Sequence, residues 1–203
     1  MTQRMYQKGE ERRESILRAT LRVIGAHGAD AVTHRAVAAE AGVPLSATTY
    51  YFDSKEQLLQ QSLLMAAREE TERIERVVLD LAPRSLGVGE WAEAVSEVVG
   101  RSLRDEAATQ VALFELGLEA TRTPALRQEL ADWQSALHGL AAMGCRAVGS
   151  DEPELDGTLV VAAIAGLMLQ GLAADVRDFE GTVLRPALER LFARIAAGER
   201  LPV

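Results

Sequence analysis

Apolar residues recur every three or four positions along nearly all of this 203-residue chain. That spacing lines one face of an α-helix, whereas strands would show strict alternation between hairpin turns, and we find no such stretch. The pattern therefore predicts an all-α protein. We expect its helices near residues 10–27, between Thr33 and Gly42, and near residues 45–52, 54–80, 90–103, 106–122, 124–148, 153–176 and 182–197.

The N-terminal helices are bounded by residues with clear capping roles. Gly28 and Gly42 can adopt the positive φ that ends a helix, and Thr33 can cap the helix between them. Ser54 and Gln57 have the spacing of a capping box at the start of a long helix. These signals predict three helices in quick succession, followed by a long one.

A shift in charge accompanies a change in organisation along the chain. Residues 1–60 carry eight Lys/Arg against seven Asp/Glu, whereas residues 61–203 carry fourteen against twenty-three, within a net charge of -8. We predict an N-terminal domain over 1–60, joined by the long helix to a C-terminal helical domain over 61–203. Within residues 1–9, Arg4 and Lys8 with no acid suit a flexible arm near phosphates, or a solvated tail.

Composition places the chain among ordinary globular proteins, with 48% hydrophobic and 26% charged residues. Its single cysteine, Cys145, cannot close an intrachain disulfide or build a zinc cage. The first residues lack the apolar stretch of a secretory signal, so we expect the protein in the cytoplasm. Cys145 is interpreted as a small buried hydrophobe, with redox sensing beside Arg146 as the alternative.

Residues 157–174 form an uncharged run of eighteen, the length at which a transmembrane helix becomes possible. Glycines and polar side chains dilute the run, Asp156 and Asp175 bound it, and no basic cluster marks a cytoplasmic side. We therefore expect no membrane span, but a helix covered by its own core and by a second copy of the chain. The predicted homodimer interface uses this helix and the next: Ile164, Leu167, Gly171, Leu184, Leu188, Leu191, Phe192 and Ile195.

Residues 33–52 have the spacing of a helix-turn-helix, with two short helices on either side of Gly42. The second helix has small, hydroxyl-bearing and aromatic side chains where a core helix would repeat Leu, Ile or Val. Such a helix can enter a major groove while flanking polar groups hold phosphates. An αα corner with a solvated second helix is the alternative.

Residues 10–60 resemble the TetR (tetracycline repressor) family of two-domain bacterial regulators. The resemblance lies in His27-Gly28, then Thr33-x-x-x-Val37-Ala38-x-x-Ala41-Gly42-Val43, then Tyr50-Tyr51-Phe52-x-Ser54-Lys55-Glu56-x-Leu58. It implies a transcriptional regulator, most often a repressor, that binds double-stranded operator DNA as a homodimer.

The resemblance also implies which residues contact DNA. Phosphates would be met by Thr33, Arg35 and Lys55. Base edges would face Ser46, Ala47 and Thr48, and backbone or bases would be reached by Tyr50 and Tyr51. Pro44, Leu45 and Thr49 depart from residues common in the family, so we give these three positions the least weight.

No constellation of residues predicts an enzyme. No Glu precedes a His by three residues, and no P-loop, nucleophile elbow or dinucleotide fingerprint occurs, so we expect no catalysis, no cofactor and no metal. A helical protein-interaction or assembly module, or a sensor without operator binding, is the alternative function.

An unknown small-molecule effector is expected to enter the C-terminal domain and tilt the long helix that carries the DNA-binding unit. Aromatic residues and methionine at helical spacing form plain core more often than a pocket. The candidate pocket residues are Phe114, Leu118, Trp133, His138 and Met168.

Overall fold

The computed structural model describes residues 2–84, 86–173 and 178–198, with side chains from Gln7 onward. These residues contain helices and turns and no strand, so the predicted all-α fold class is confirmed. The α-helices are α1 (Thr2–His27), α2 (His34–Ala41), α3 (Leu45–Tyr51), α4 (Lys55–Leu81), α5 (Val88–Asp105), α6 (Ala107–Glu119), α7 (Pro124–Ala147), α8 (Pro153–Ala173) and α9 (Arg185–Ala196).

The N-terminal segment differs from its prediction. We expected a flexible arm or solvated tail over residues 1–9, but α1 begins at Thr2, so the flexible arm is wrong for residues 2–9, while Gln7 and Lys8 are exposed to solvent. No proline interrupts this stretch, and a single glycine inside a helix costs only about 1 kcal/mol relative to alanine. Arg4 and Lys8 therefore belong to a helix.

The predicted caps of the N-terminal helices are present. The Thr33 hydroxyl accepts from the Ala36 amide at 3.0 Å, and Gly42 ends α2 with φ 65° and ψ 32°. At the start of α4, the Ser54 hydroxyl accepts from the Gln57 amide at 3.2 Å. In a capping box the Gln57 side chain would accept from the Ser54 amide. Here it accepts from the amide of the preceding residue, Asp53, at 2.6 Å.

Internal packing divides the chain into two compact units, and the first takes residues 1–69 and 108–132. Most of α6 and the start of α7 therefore pack with the N-terminal helices. The predicted domain boundary after residue 60 stays a prediction, and this unit is larger than the domain that it would define. The core of the first unit includes Ile16, Ile24, Val37, Phe52, Leu58, Leu63, Leu116 and Leu126.

The backbone of α1 touches α6 at Gly25. A Cβ atom built at Gly25 would collide with the carbonyl group of Ala108, in the first turn of α6. Two helical turns further along α6, the Glu115 carboxylate lies 3.7 Å from the position of a Cβ at Gly28. The missing side chain at Gly25 thus lets α6 lie directly on the end of α1.

The second compact unit takes residues 70–107 and 133–203. In it α5 packs along α9 and also contacts α8, and the Trp91 ring lies over Gly144. Ion pairs join Arg104 to Glu180 and Arg185 to Glu93 at the edge of the α5 and α9 pair. The core of this unit includes Trp91, Ala92, Val99, Cys145, Val160, Leu184, Leu188, Phe192 and Ile195.

The later helices lie close to their predicted positions, with one change of form. The predicted end of the eighth helix, Val176, lies outside the described residues. The ninth begins at Arg185 rather than Thr182, because residues Glu180–Leu184 form a π-helical turn. Asp178, at φ 56°, precedes this turn, and its carboxylate accepts from the Gly181 amide at 3.2 Å.

Within the described residues, α8 is the one helix whose length and composition would allow it to cross a membrane. Only 17% of its apolar window is buried inside a single chain. The remaining residues of α8 are divided equally between partly buried and exposed ones, so one chain covers this apolar helix incompletely.

Gly25→Ala is expected to lower the free energy of unfolding by about 1–3 kcal/mol, because α1 or α6 must move away from the added methyl group. Gly117→Ala is the matched control, since Gly117 also lies inside a helix of the first unit and a Cβ there meets nothing within 4 Å. That control should gain about 0.5–1 kcal/mol. Urea unfolding followed by circular dichroism measures both, and a Gly25→Ala midpoint equal to the wild type would contradict the close contact.

Candidate nucleic-acid interface

The orientation of α3 is set by two buried residues. Thr48 is fully buried, and its hydroxyl donates to the Leu45 carbonyl at 2.9 Å and lies 3.4 Å from the carbonyl of His34 in α2. Phe52, directly after α3, is also buried, with the Arg13 guanidinium 5.6 Å from its ring centroid. Together Thr48 and Phe52 turn one side of α3 toward α2 and the core.

The predicted base contact of Thr48 is therefore wrong. Thr48 lies four residues before Phe52, so the two side chains share the buried face of the helix. Its hydroxyl is used inside the protein, where an unpaired polar group would be costly.

The outward face of α3 consists of Leu45, Ser46, Thr49 and Tyr50. Leu45 is 45% exposed and Tyr50 is 80% exposed, while Ala47 is partly buried at the edge of this face. Sequence analysis included Ser46 and Tyr50 but gave Leu45 and Thr49 the least weight. The spacing along the sequence does not predict the exposure of Leu45, because Leu45 lies three residues before Thr48 and seven before Phe52, which is the spacing of a shared helix face. It is exposed as the first residue of α3.

An aromatic pair ends α3. The rings of Tyr50 and Tyr51 meet edge to face, with centroids 5.0 Å apart. Tyr51 is partly buried, and its hydroxyl lies 3.6 Å from the position of a Cβ at Gly9 in α1. Tyr51 therefore supports Tyr50, which extends into solvent.

The three predicted phosphate contacts differ in their surroundings. Arg35 is exposed on α2, whereas the exposed Thr33 already uses its hydroxyl as a helix cap. The Lys55 ammonium donates to the Asp30 carbonyl at 3.3 Å and lies 3.7 Å from the Asp30 carboxylate. A phosphate that binds Lys55 would therefore take the place of Asp30 of the same chain as its ionic partner.

The end of α6 lies in the same electrostatic neighbourhood. The hydroxyl of Thr123 and the guanidinium of Arg122 lower the pKa of the Glu119 carboxyl, and the charge of Lys55 adds to this effect. Arg122 lies 2.9 Å from Glu119. Glu119, at the end of α6, is thus close enough to Lys55, at the start of α4, for the two charges to interact.

The candidate ligand residues are distributed over both compact units. Phe114 and Leu118 lie on α6 in the first unit, where Phe114 is partly buried and Leu118 is exposed. In the second unit, Trp133 and His138 are partly buried on α7, and Met168 is buried on α8. The indole N–H of Trp133 is buried without an acceptor among the described residues. The role of these five residues in ligand binding stays a prediction.

The structure corrects four predicted dimer residues. Leu184, which ends the π-helical turn, and Leu188, Phe192 and Ile195 on α9 are buried within one chain, and both of these elements contact α5, so the four residues are not available to a partner. Leu191 is only partly buried.

The predicted interface residues of α8 also lie off its most exposed side. Ile164, Leu167 and Gly171 are partly buried, and a Cβ at Gly171 would meet Leu103 and Phe179 of the same chain. The exposed side repeats at intervals of three and four residues, and we call it the α8 stripe: Leu155, Leu159, Ala162, Gly166, Leu169 and Ala173.

Cys145 lacks the features of a reactive thiol. Its side chain is fully buried, and burial, followed by the charge of Asp156, raises the pKa of the thiol to about 12. The thiol therefore stays protonated at neutral pH, where a thiolate would be the reactive form. In the described residues no group of three or more His, Cys, Asp or Glu side chains is arranged to hold a metal ion.

A capped α2, a glycine turn and an α3 with a solvent-exposed polar face define a helix-turn-helix protein. The chain belongs to the TetR family of bacterial regulatory proteins. The family's N-terminal model matches residues 16–61, and a tetracyclin repressor-like C-terminal domain model matches residues 86–196. The protein is accordingly a DNA-binding transcriptional regulator.

Individual relatives agree with this assignment. The transcriptional regulator BetI of Rhizobium meliloti (strain 1021) is 32% identical over 180 residues, which cover 85% of this chain and 84% of that protein. PksA of Bacillus subtilis (strain 168) is 37% identical over 76 residues, so the match spans only 37% of its length. Among solved structures, the multidrug binding protein EbrR in complex with imidazole is 32% identical, with a TM-score of 0.63 over 95% of this chain and 97% of that one.

Proposed function

We propose that this protein is a repressor whose homodimer binds a near-palindromic operator and is released from it by a small-molecule ligand. The observation that carries the proposal is the outward face of α3, which combines exposed hydroxyls with a protruding Tyr50. It acts in the cytoplasm, outside any membrane and without catalysis. The whole protein's targets and ligands belong to this proposal.

The outward face of α3 fits a major groove by size and chemistry. A seven-residue helix with small side chains can enter the groove, and Arg35 and Lys55 flank it on α2 and α4. A symmetric dimer presents two such helices, so its half-sites should lie about one helical turn apart or a multiple of it. Thr33, Ser46, Ala47 and Tyr51 complete the proposed contact surface.

The α8 stripe supports dimerisation. It is apolar and exposed along the whole helix, and such a surface is an aggregation hazard on a monomer. Small residues at Ala162 and Gly166 would allow two copies of α8 to approach closely, since a Cβ at Gly166 meets nothing within 4 Å. We assign the interface to this stripe, with Ile164 and Leu167 of α8 at its margin, and keep Leu191 of α9 as a further candidate.

The chemistry of the ligand is inferred from charge and from a relative. Residues 61–203 carry nine more acidic than basic side chains, which favours a neutral or cationic molecule over an anion. EbrR has been solved in complex with ethidium and with malachite green, both of which are aromatic cations, and it is 34% and 33% identical to this chain in those structures. We therefore propose an aromatic ligand, neutral or cationic, near Trp133, His138 and Met168 of the second unit.

Operator binding is tested by recovering genomic fragments that the protein retards in a gel and measuring their affinity at several salt concentrations. Affinity should fall steeply with salt, and Lys55→Ala should reduce the slope of log affinity against log salt by about one, because one phosphate contact is lost. Arg101→Ala, which removes an exposed charge from α5, should leave the slope unchanged. Failure to retard any fragment would favour an assembly module without operator binding.

Leu169→Glu should convert the dimer to a monomer or an aggregate and abolish operator binding, because a buried unpaired carboxylate in the interface is strongly unfavourable. Leu79→Glu is the matched control, since Leu79 on α4 is 52% exposed and Leu169 is 54% exposed. Sedimentation equilibrium at micromolar concentration measures the mass of each variant. A wild-type monomer, or a Leu169→Glu dimer, would contradict the assignment.

Malachite green should raise the melting temperature of the free protein and weaken operator binding. By linkage, saturating operator must weaken dye binding by the same factor. With Trp133→Ala, the dye should neither raise the melting temperature nor weaken operator binding. A dye that acted by binding DNA would still weaken operator binding by this variant. Identical dye affinity with and without operator would refute release by this ligand.

A further inference from the structure

The recognition face has no side chain suited to paired hydrogen bonds with a base. Residues 44–52 contain no Arg, Lys, Asn, Gln, Asp or Glu. Bidentate recognition of guanine uses Arg or Lys, and that of adenine uses Asn or Gln. The α3 face must therefore distinguish bases by other means, namely single hydroxyl contacts and apolar contacts.

Leu45 is the exposed aliphatic side chain on this face, which also carries the exposed ring of Tyr50. It lies in the first turn of α3, directly after the exposed Pro44, and almost half of it is exposed. Thr49 lies four residues on, so its exposed side chain neighbours Leu45 along the helix, and its hydroxyl lies 3.4 Å from the Leu45 carbonyl. In the major groove, the apolar group that distinguishes thymine from the other bases is its 5-methyl group.

The position of Leu45 is held from within the protein. Its carbonyl accepts the Thr48 hydroxyl, which also lies near the carbonyl of His34 in α2. This bond attaches the first turn of α3 to α2. The exposed side chain of Leu45 lies next to Ser46 on the proposed DNA surface. Because the backbone of Leu45 is fixed in this way, its exposed side chain starts from a defined position and can contact a methyl group in the groove.

We propose that Leu45 is a specificity-determining residue that contacts a thymine 5-methyl group in each operator half-site, with Thr49 beside it. The inference rests on the proposed function, because it needs an operator. It names the base feature that the α3 face recognises and assigns that recognition to a position outside the contacts expected from the sequence.

The test replaces each thymine of the recovered operator in turn by deoxyuridine, which removes only the methyl group and keeps the pairing. Wild-type affinity should fall about fourfold for the critical position in one half-site, the effect of one buried methyl group. Replacing the position in both half-sites should give roughly the square of that factor. The measurement is fluorescence anisotropy with labelled duplexes.

Leu45→Ala should bind the thymine operator more weakly and lose the difference between thymine and deoxyuridine at that position. Ser46→Ala is the matched control and should keep the difference, since it changes a neighbouring exposed residue without removing the apolar contact. Leu45→Met should also keep it. Circular dichroism of each variant confirms that the helical content is unchanged.

Three outcomes overturn the inference. Wild type could bind all deoxyuridine duplexes as tightly as the thymine operator, Leu45→Ala could retain the full loss, or the operator could contain no thymine in its half-sites. In each case operator binding itself stands. Only the failure to recover any operator would also overturn the proposed function.

Discussion

The internal bond of Thr48 is the constraint on which the DNA-binding surface depends. A hydroxyl buried between α3 and α2 must find an acceptor, and the carbonyls of Leu45 and His34 are the ones beside it. This need, with the buried Phe52, sets the rotation of a seven-residue helix about its axis. The residues left exposed, namely Leu45, Ser46, Thr49 and Tyr50, form the surface that can contact a groove.

Local hydrogen-bond chemistry explains which features could be predicted from the sequence. The Thr33 cap, the Gly42 turn and the Ser54 cap depend on residues three or four positions apart, so the sequence contains all the groups involved. The face of Thr48 was harder to predict, because a threonine suits both a groove and a buried bond to a carbonyl. Only its spacing from Phe52 distinguishes the two, and the family resemblance outweighed that spacing.

In the C-terminal helices, the sequence predicts an apolar face but not what packs against it. Leu188, Phe192 and Ile195 form an apolar face on α9, which Leu184 continues in the preceding turn, and the sequence does not distinguish packing of that face on its own chain from packing on a partner. In the structure α5 covers it, and the α8 stripe remains uncovered. Similarly, the packing of α6 against Gly25 joins residues more than eighty positions apart, which no local pattern predicts.

The central claim is that the outward face of α3 lies in the major groove of an operator. Thr49→Cys carrying an iron–EDTA group tests this directly, because the buried Cys145 does not compete for the reagent. We expect cleavage of operator DNA at two symmetric positions, one in each half-site, and none from the same group on Gln134→Cys in α7. Cleavage no stronger than that control, on a duplex that the labelled protein still binds, would contradict the account.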